Sequence, residues 1–317
     1  MTSQAFVILG PTASGKSAIA LQLAEQLPIE IISMDSALVY REMDIGTAKP
    51  TREERSVCPH HLIDVREISD PYSAADFVQD ALALVERIRE RGRLPVIVGG
   101  TMLYYQALAH GLHDMPSSDP LVRERVLALA QEHGWPWVHE RLAQVDPQTA
   151  QRLQPNDAQR ISRALEVYWQ TGETLSAFHA RQIAQPIFPY TVLGLLPENR
   201  AALHKRIEDR FLAMLEQGFV AEVEHLMSRP DFDRDSPAMR AVGYRQAISY
   251  ILGEVDYATF VQMGIAATRQ LAKRQITWMR GMKDVTLLDP MKPGAFEACL
   301  NIARMLMKDF PTDPSLG

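Results

Sequence analysis

The chain has 317 residues, 46% of them hydrophobic, and 33 Lys and Arg stand against 39 Asp and Glu for a net charge of −6. That is enough apolar material for one large domain or two smaller ones, and no run reaches the roughly 20 apolar residues of a membrane span. Cys58 and Cys299 are the only cysteines and lack metal-ligand spacing, which excludes a disulfide framework and a zinc site, while the acidic balance argues against nucleic-acid binding through overall charge.

The apolar run Ala5-Phe6-Val7-Ile8-Leu9 predicts a first strand, entered so early that no signal peptide is expected and a cytoplasmic protein is. It leads into Gly10-Pro11-Thr12-Ala13-Ser14-Gly15-Lys16-Ser17, after which Ile19, Leu21, Leu23, Ala24 and Leu27 predict a helix. Strand, then G-x-x-x-x-G-K-[ST], then helix is the context in which this octet cradles phosphate. Its glycines permit a tight turn with inward backbone N–H groups, and the helix N-terminus adds partial positive charge. Lys16 supplies a full charge for terminal phosphate oxygens, and Ser17 offers a hydroxyl to Mg2+. A polyphosphate is the expected ligand.

Residues 29–35 predict a second strand with Asp35 at its carboxyl end, the side on which open α/β sheets bind ligands. Residues 36–50 lack a clean period and read as a functional loop. Residues 60–64 predict a short strand whose His60 and His61 pack or hydrogen-bond rather than hold metal. Ser73 is placed to cap a helix with Phe77, Ala81, Leu84, Val85 and Ile88 on one face, stopped by Gly92. Residues 94–98 form an almost continuous apolar strand, as burial on both faces demands, and run into Gly99-Gly100-Thr101.

From 116 to 186 the strand signal vanishes, and helices are predicted over 119–134, 135–145 and 157–172, with a shorter one through Phe178. The strand pattern resumes at 190–196. Helices over 200–217, 220–227 and 257–280 follow, then a strand at 285–288 and a terminal helix. The fold class is therefore α/β, a parallel sheet of the P-loop NTPase type flanked by helices, built from 1–115 and 187–317 around an all-helical insertion at 116–186.

A motor or switch NTPase needs a second strand ending in an acid to help hold magnesium, and the later core strand ends in Gly99-Gly100-Thr101 instead. One carboxylate and one hydroxyl beside a phosphate cradle suit a group transfer whose nucleophile loses a proton. Asp35 would accept it and Thr101 would stabilise the departing oxygen, unless Thr101 simply caps the helix that follows. A small-molecule kinase using ATP, or a nucleic-acid-binding module with a vestigial cradle, stays open on these residues. Between Ser236 and Lys283, seven Lys and Arg (Arg240, Arg245, Arg269, Lys273, Arg274, Arg280, Lys283) face only Glu254 and Asp256, a local excess of five positive charges in an acidic chain.

The motifs taken together are more specific. The octet, Asp35-Ser36 followed by Tyr40, Met43-Asp44-Ile45-Gly46-Thr47-Ala48-Lys49-Pro50 and Pro59-His60-His61-Leu62-Ile63-Asp64 resemble those of the bacterial tRNA dimethylallyltransferases. So do Gly99-Gly100-Thr101-Met102-Leu103-Tyr104, Asp157-Ala158-Gln159-Arg160-Ile161 and Val242-Gly243-Tyr244-Arg245-Gln246, so the resemblance runs from residue 10 to about residue 280. It implies transfer of a dimethylallyl group from dimethylallyl diphosphate to N6 of the adenosine 3′ of the anticodon in tRNA, with pyrophosphate leaving. The octet would then hold the donor's diphosphate, with Mg2+ on Ser17, and Asp35 and Thr101 would be catalytic. The tRNA contacts implied are Asp35-Ser36-Ala37-Leu38, Thr101, Arg123, Gln159-Arg160-Ile161-Ser162-Arg163, Arg240-Ala241-Val242-Gly243-Tyr244-Arg245 and Lys273-Arg274-Gln275-Ile276-Thr277-Trp278-Met279-Arg280. The helical insertion would grip the anticodon loop, and the protein is expected to act as a monomer. Leu38 stands where many relatives carry Gln, so position 38 offers no side-chain hydrogen bond.

Overall fold

An apolar run with no polar alternation is stable as a strand only if both its faces are covered. The run Ala5–Leu9 meets that condition: every residue of β1 (Ala5–Leu9) is buried, as is every residue of β2 (Ile29–Met34) and β4 (Leu94–Gly99). In the computed structural model, which describes residues 4–111, 115–116, 118–181, 186–282 and 285–308, these join β3 (His60–His61), β5 (Tyr190–Leu195) and β6 (Thr286–Leu288). Among the described residues they form one six-stranded sheet in the order β3-β2-β4-β1-β5-β6, parallel throughout. The α/β class with a P-loop-type parallel sheet is what the sequence predicts.

The chain divides into two units, 1–108 with 187–317, and 109–186. The first begins with α1 (Lys16–Ala24), α2 (Arg52–Val57), α3 (Ala74–Glu90) and α4 (Met102–His110) between and after its strands. Ser73 caps α3 as predicted, in a reciprocal box with Asp76. The second unit holds α5 (Pro120–His133), α6 (Trp135–Val145), α7 (Pro147–Arg152), α8 (Ala158–Thr171) and α9 (Leu175–Arg181). The chain then returns to the first unit through β5, α10 (Arg200–Glu216), α11 (Phe219–Ser228), α12 (Tyr244–Ile251), α13 (Tyr257–Arg280), β6 and α14 (Ala295–Met307).

Three short helices have no counterpart in the sequence reading. α2 rests on the Thr51–Glu54 capping box, α7 on the Asp146 cap, and α12 follows Gly243 at φ 94°. α2 and α7 are too short to show an apolar period, whereas Tyr244, Ala247, Ile248 and Ile251 of α12 follow one that the sequence reading passed over. β3 is shorter than predicted because Leu62 and Asp64 take φ of 61° and 57°, which breaks the extended backbone after two residues.

Register sets the functional edge. Leu9 pairs with Gly99, and Gly99 with Met34, so the chain leaves the sheet at Gly10, Asp35 and Gly100 on three adjacent strands. A side chain at Gly99 would clash with the Met34 carbonyl, so close approach of β2 and β4 there requires glycine.

The helical unit has its own core of Val126, Val138, Leu142, Ala150, Ile161, Ala164 and Leu165. Asp146 is only 1% exposed, and its two carboxylate oxygens accept from the N–H groups of Thr149 and Ser176, both at 3.0 Å. Burial alone would raise its pKa, but these hydrogen bonds hold the carboxyl below the ordinary aspartate value. Replacing it strands both N–H groups. Asp146→Ala should cost about 2 kcal/mol or more, read as a lowered thermal transition of the full chain.

Candidate active site

The β1–α1 turn becomes a cradle through two left-handed residues, Ala13 at φ 61° and Gly15 at φ 95°. Such a turn curls successive N–H groups towards one point. Lys16 begins α1 behind it and donates to the Pro11 carbonyl at 3.1 Å. Burial pushes its ammonium down to about 8; Asp35 opposes that shift and Arg210 adds to it. Not all of the octet faces ligand. Pro11 and Ser14 are buried, and the Ser14 N–H donates to the Pro11 carbonyl at 3.2 Å. Thr12, Ala13, Lys16 and Ser17 line the cleft.

That cleft, about 570 Å³, lies beyond the carboxyl ends of β1, β2 and β4, and Asp35 is the one acidic residue lining it among the described residues. Asp35 Oδ1 accepts from Ala37 N–H at 2.8 Å and Leu38 N–H at 3.4 Å, which fixes the carboxylate. Thr101 Oγ1 accepts from Ser36 N–H at 3.0 Å. The hydroxyl therefore turns towards the end of β2, and α4 takes its first acceptor from the Thr101 main-chain carbonyl. Thr101 is thus tied to the end of β2, while the Asp35 carboxylate is held by the loop that follows its own strand. Among the described residues no three His, Cys, Asp or Glu side chains form a metal-holding group. One hydroxyl and one carboxylate beside an anion cradle nonetheless fit magnesium, which keeps several waters and takes its remaining ligands from substrate phosphates.

Two features of this cleft escaped the sequence reading. Arg210, on α10, lines it, lies 3.5 Å from the Thr47 carbonyl, and has its pKa lowered by burial against the opposing field of Asp35. Arg206 stands one turn earlier on the same helix face and reaches towards Gly15. The available signal was the apolar stripe Leu203, Ile207, Phe211 and Met214, which carries these two arginines along its border. The second feature is the bridging role of Gln275, which the sequence reading placed only among the implied tRNA contacts. Its Oε1 accepts from Thr12 N–H at 2.9 Å and its Nε2 donates to the Gly100 carbonyl at 2.8 Å, so α13 joins the cradle to the end of β4.

The segments implied as tRNA contacts divide by face. Asp35 to Leu38, Thr101, Arg240 to Tyr244, Arg274 and Trp278 border the cleft, and Arg245, Lys273, Thr277 and Arg280 are exposed beside or beyond it. Other members turn inward. Gln275 is occupied as above, Met279 is fully buried, and Ile276 packs on the cluster of Leu203, Ile207 and Ala272. The Tyr244 side chain is buried with its hydroxyl on Glu222 at 2.6 Å, and Gly243 is buried. In the helical unit Ile161 is core and Ser162 donates to Glu166 at 2.7 Å, so neither side chain reaches solvent. A contiguous stretch of helix must alternate faces every three to four residues, which turns the side chains of Ile161, Ser162, Ile276 and Met279 towards the interior of their units. Arg163 is half-buried and donates to the Pro116 carbonyl at 2.6 Å, whereas Arg123, Gln159 and Arg160 are exposed. Of the basic stretch, Arg269 is paired with Glu208 at 2.8 Å, and Lys283 lies outside the described residues.

A family model described as IPP transferase matches residues 38–282. The chain is 54% identical over 308 residues to a protein of Ralstonia nicotianae named tRNA dimethylallyltransferase, covering 95% of each. A protein of the same name from Cupriavidus taiwanensis is 56% identical over 288 residues, covering 89% of each. Among solved structures, the full-length tRNA isopentenylpyrophosphate transferase of Bacillus halodurans superposes with a TM-score of 0.69 at 35% identity, covering 97% of this chain and 98% of that one. A eukaryotic dimethylallyltransferase acting on tRNA gives 0.82 at 27% identity, over 99% of this chain and 82% of that one.

The depressed Lys16 predicts a pH signature. The cation that a diphosphate needs is present below pH about 8 and lost above it. Affinity for inorganic pyrophosphate, measured by calorimetry, should fall by up to about tenfold per pH unit above that point. Lys16→Arg stays charged across the range, so the ratio of the two affinities, which cancels the ionisation of pyrophosphate itself, should carry the whole effect.

Proposed function

The chain belongs to the IPP transferase family, and on that footing we propose that it transfers a dimethylallyl group from dimethylallyl diphosphate to N6 of the adenosine immediately 3′ of the anticodon in tRNA, releasing pyrophosphate. The observation that carries this reading is the convergence of a phosphate cradle, two half-buried cations and a single carboxylate in one cleft bordered by exposed arginines.

N6 shares its lone pair with the purine ring and is a weak nucleophile. As N6 bonds to C1 of the allyl group, the C1–O bond breaks and its electron pair stays on the bridging oxygen of pyrophosphate. Asp35 takes the proton lost from N6, and its fixed Oδ1 leaves the other oxygen for that task. Thr101 donates a hydrogen bond from its hydroxyl to the departing oxygen, while Lys16, Arg210 and the cradle N–H groups neutralise the growing charge. Ser17 would hold magnesium together with the diphosphate oxygens, and the ion would supply Lewis-acid neutralisation of the same leaving group. The adenine must leave the anticodon stack, a cost of a few kcal/mol, and the exposed face of Trp278 at the cleft is suited to receive it.

The helical unit 109–186 is the part assigned to grip the anticodon loop, through Arg123, Gln159 and Arg160. We place the reaction in the cytoplasm, with tRNA held through phosphates by the local basic excess.

Mass analysis of nucleosides from tRNA incubated with protein and donor tests the assignment, and turnover of ATP in place of the donor would overturn it. Asp35→Asn should slow single-turnover transfer by about 10²–10⁴-fold, and Thr101→Ala by about 10²–10³-fold. Lys273→Ala should leave single-turnover chemistry intact while reducing the slope of log affinity against log salt by about 1 in filter binding with tRNA.

A further inference from the structure

The motif Met43 to Pro50 is the longest one the mechanism above leaves without a task. Gly46, Thr47 and Ala48 form a wall of the cleft facing the cradle. A loop wall of this kind holds its shape only if its backbone polar groups are tied down. Here one side chain does most of that work. The Glu222 carboxylate, from α11, accepts from Asp44 N–H at 3.0 Å, Ile45 N–H at 2.6 Å and Gly46 N–H at 3.1 Å. It also accepts from the Tyr244 hydroxyl at 2.6 Å. Directly beneath, the rings of Phe219 and Tyr244 meet edge to face with centroids 5.1 Å apart, and a side chain at Gly46 would clash with both. The wall is thus pinned from two sides, by charge-assisted hydrogen bonds and by close packing.

We infer that Glu222 is a positioning residue for the diphosphate donor: it sets the 44–48 wall against the cradle, with the Tyr244 hydroxyl as its second anchor. The inference rests on the dimethylallyl diphosphate reading of the cleft. Glu222 touches neither the cradle nor Asp35 and Thr101, so its effect passes through the wall. Thr47 transmits it, since its carbonyl faces Arg210.

The test is the steady-state kinetics of Glu222→Gln and Tyr244→Phe with dimethylallyl diphosphate and tRNA. A carboxamide keeps one acceptor oxygen, sheds the charge and turns an NH2 towards the donors that the other oxygen served, so the loop loses part of its anchor with little change in volume. Glu222→Gln should raise the KM for the donor by about tenfold or more, with a kcat at saturating donor close to wild type. Tyr244→Phe leaves the three loop hydrogen bonds and should raise it by a smaller factor. Amide exchange at 44–46, read without substrate, should quicken in Glu222→Gln. A role confined to holding the fold would lower the active fraction, and hence kcat, at unchanged donor KM; that result overturns the inference. Should Glu222→Gln fail to fold, Tyr244→Phe decides, and an unmoved donor KM there also overturns it. Wild-type protein that does not turn over the donor overturns the reading itself, whereas turnover with unmoved KM in the variants overturns only the role of Glu222.

Discussion

Two cations kept from water beside one carboxylate are the constraint on which the cleft depends. Burial lowers the pKa of both Lys16 and Arg210, and Asp35 is the charge that opposes it for each. One carboxylate cannot balance two cations, so the cleft without ligand holds an excess of poorly solvated positive charge. A polyanion relieves that excess, and the binding it gains is greatest where charge is densest, on the leaving diphosphate. Asp35 lines the same cleft and lies in the field that gathers the diphosphate. Cradle chemistry and base chemistry are therefore one electrostatic arrangement.

Holding such charges in place needs rigid surroundings, and the protein supplies them as side-chain bridges between distant segments. Gln275 joins the cradle to Gly100 through both ends of its amide. Thr101 joins the end of β4 to the loop after β2. Glu222 fastens the 44–46 backbone to α11. Each bridge satisfies main-chain groups that the open edge of a sheet would otherwise leave to water, and each fixes one wall of the cleft. α13 serves both sides of this scheme. Its inner face carries Gln275 and Met279, and its outer face carries Lys273, Arg274 and Arg280.

The helical unit is stabilised by a different set of buried polar groups. Glu166 is 3% exposed and accepts from the hydroxyls of Ser118 and Ser162, at 2.6 and 2.7 Å, while Asp146 ties α7 to the start of α9. Satisfied carboxylates of this kind give a small core a unique arrangement, at the cost of sensitivity to losing either partner. Arg163, which the family resemblance implies as an RNA contact, is also joined to this internal scheme through the Pro116 carbonyl. Arg160 meets Asp157 at the exposed start of α8, where such a pair is worth little and yields readily to a phosphate.

What the sequence by itself determined is what is written in contiguous residues. Buried strands show as unbroken apolar runs, the cradle as an octet between strand and helix, and the α3 boundary as Ser73 and Gly92. Asp35 and Thr101 were legible because each follows directly on a strand whose carboxyl end is the functional edge. Tertiary structure alone decided which side chains of a given helix face the cleft and which face the core. Tyr244 and Arg245 are neighbours in the chain, yet one is buried on Glu222 and the other exposed. It also decided that Arg210, Gln275 and Glu222 converge on segments far away in the chain. The reason is physical: local patterns record backbone preference and burial, whereas a charge or an amide finds its partner only after the sheet register has brought the strand ends together.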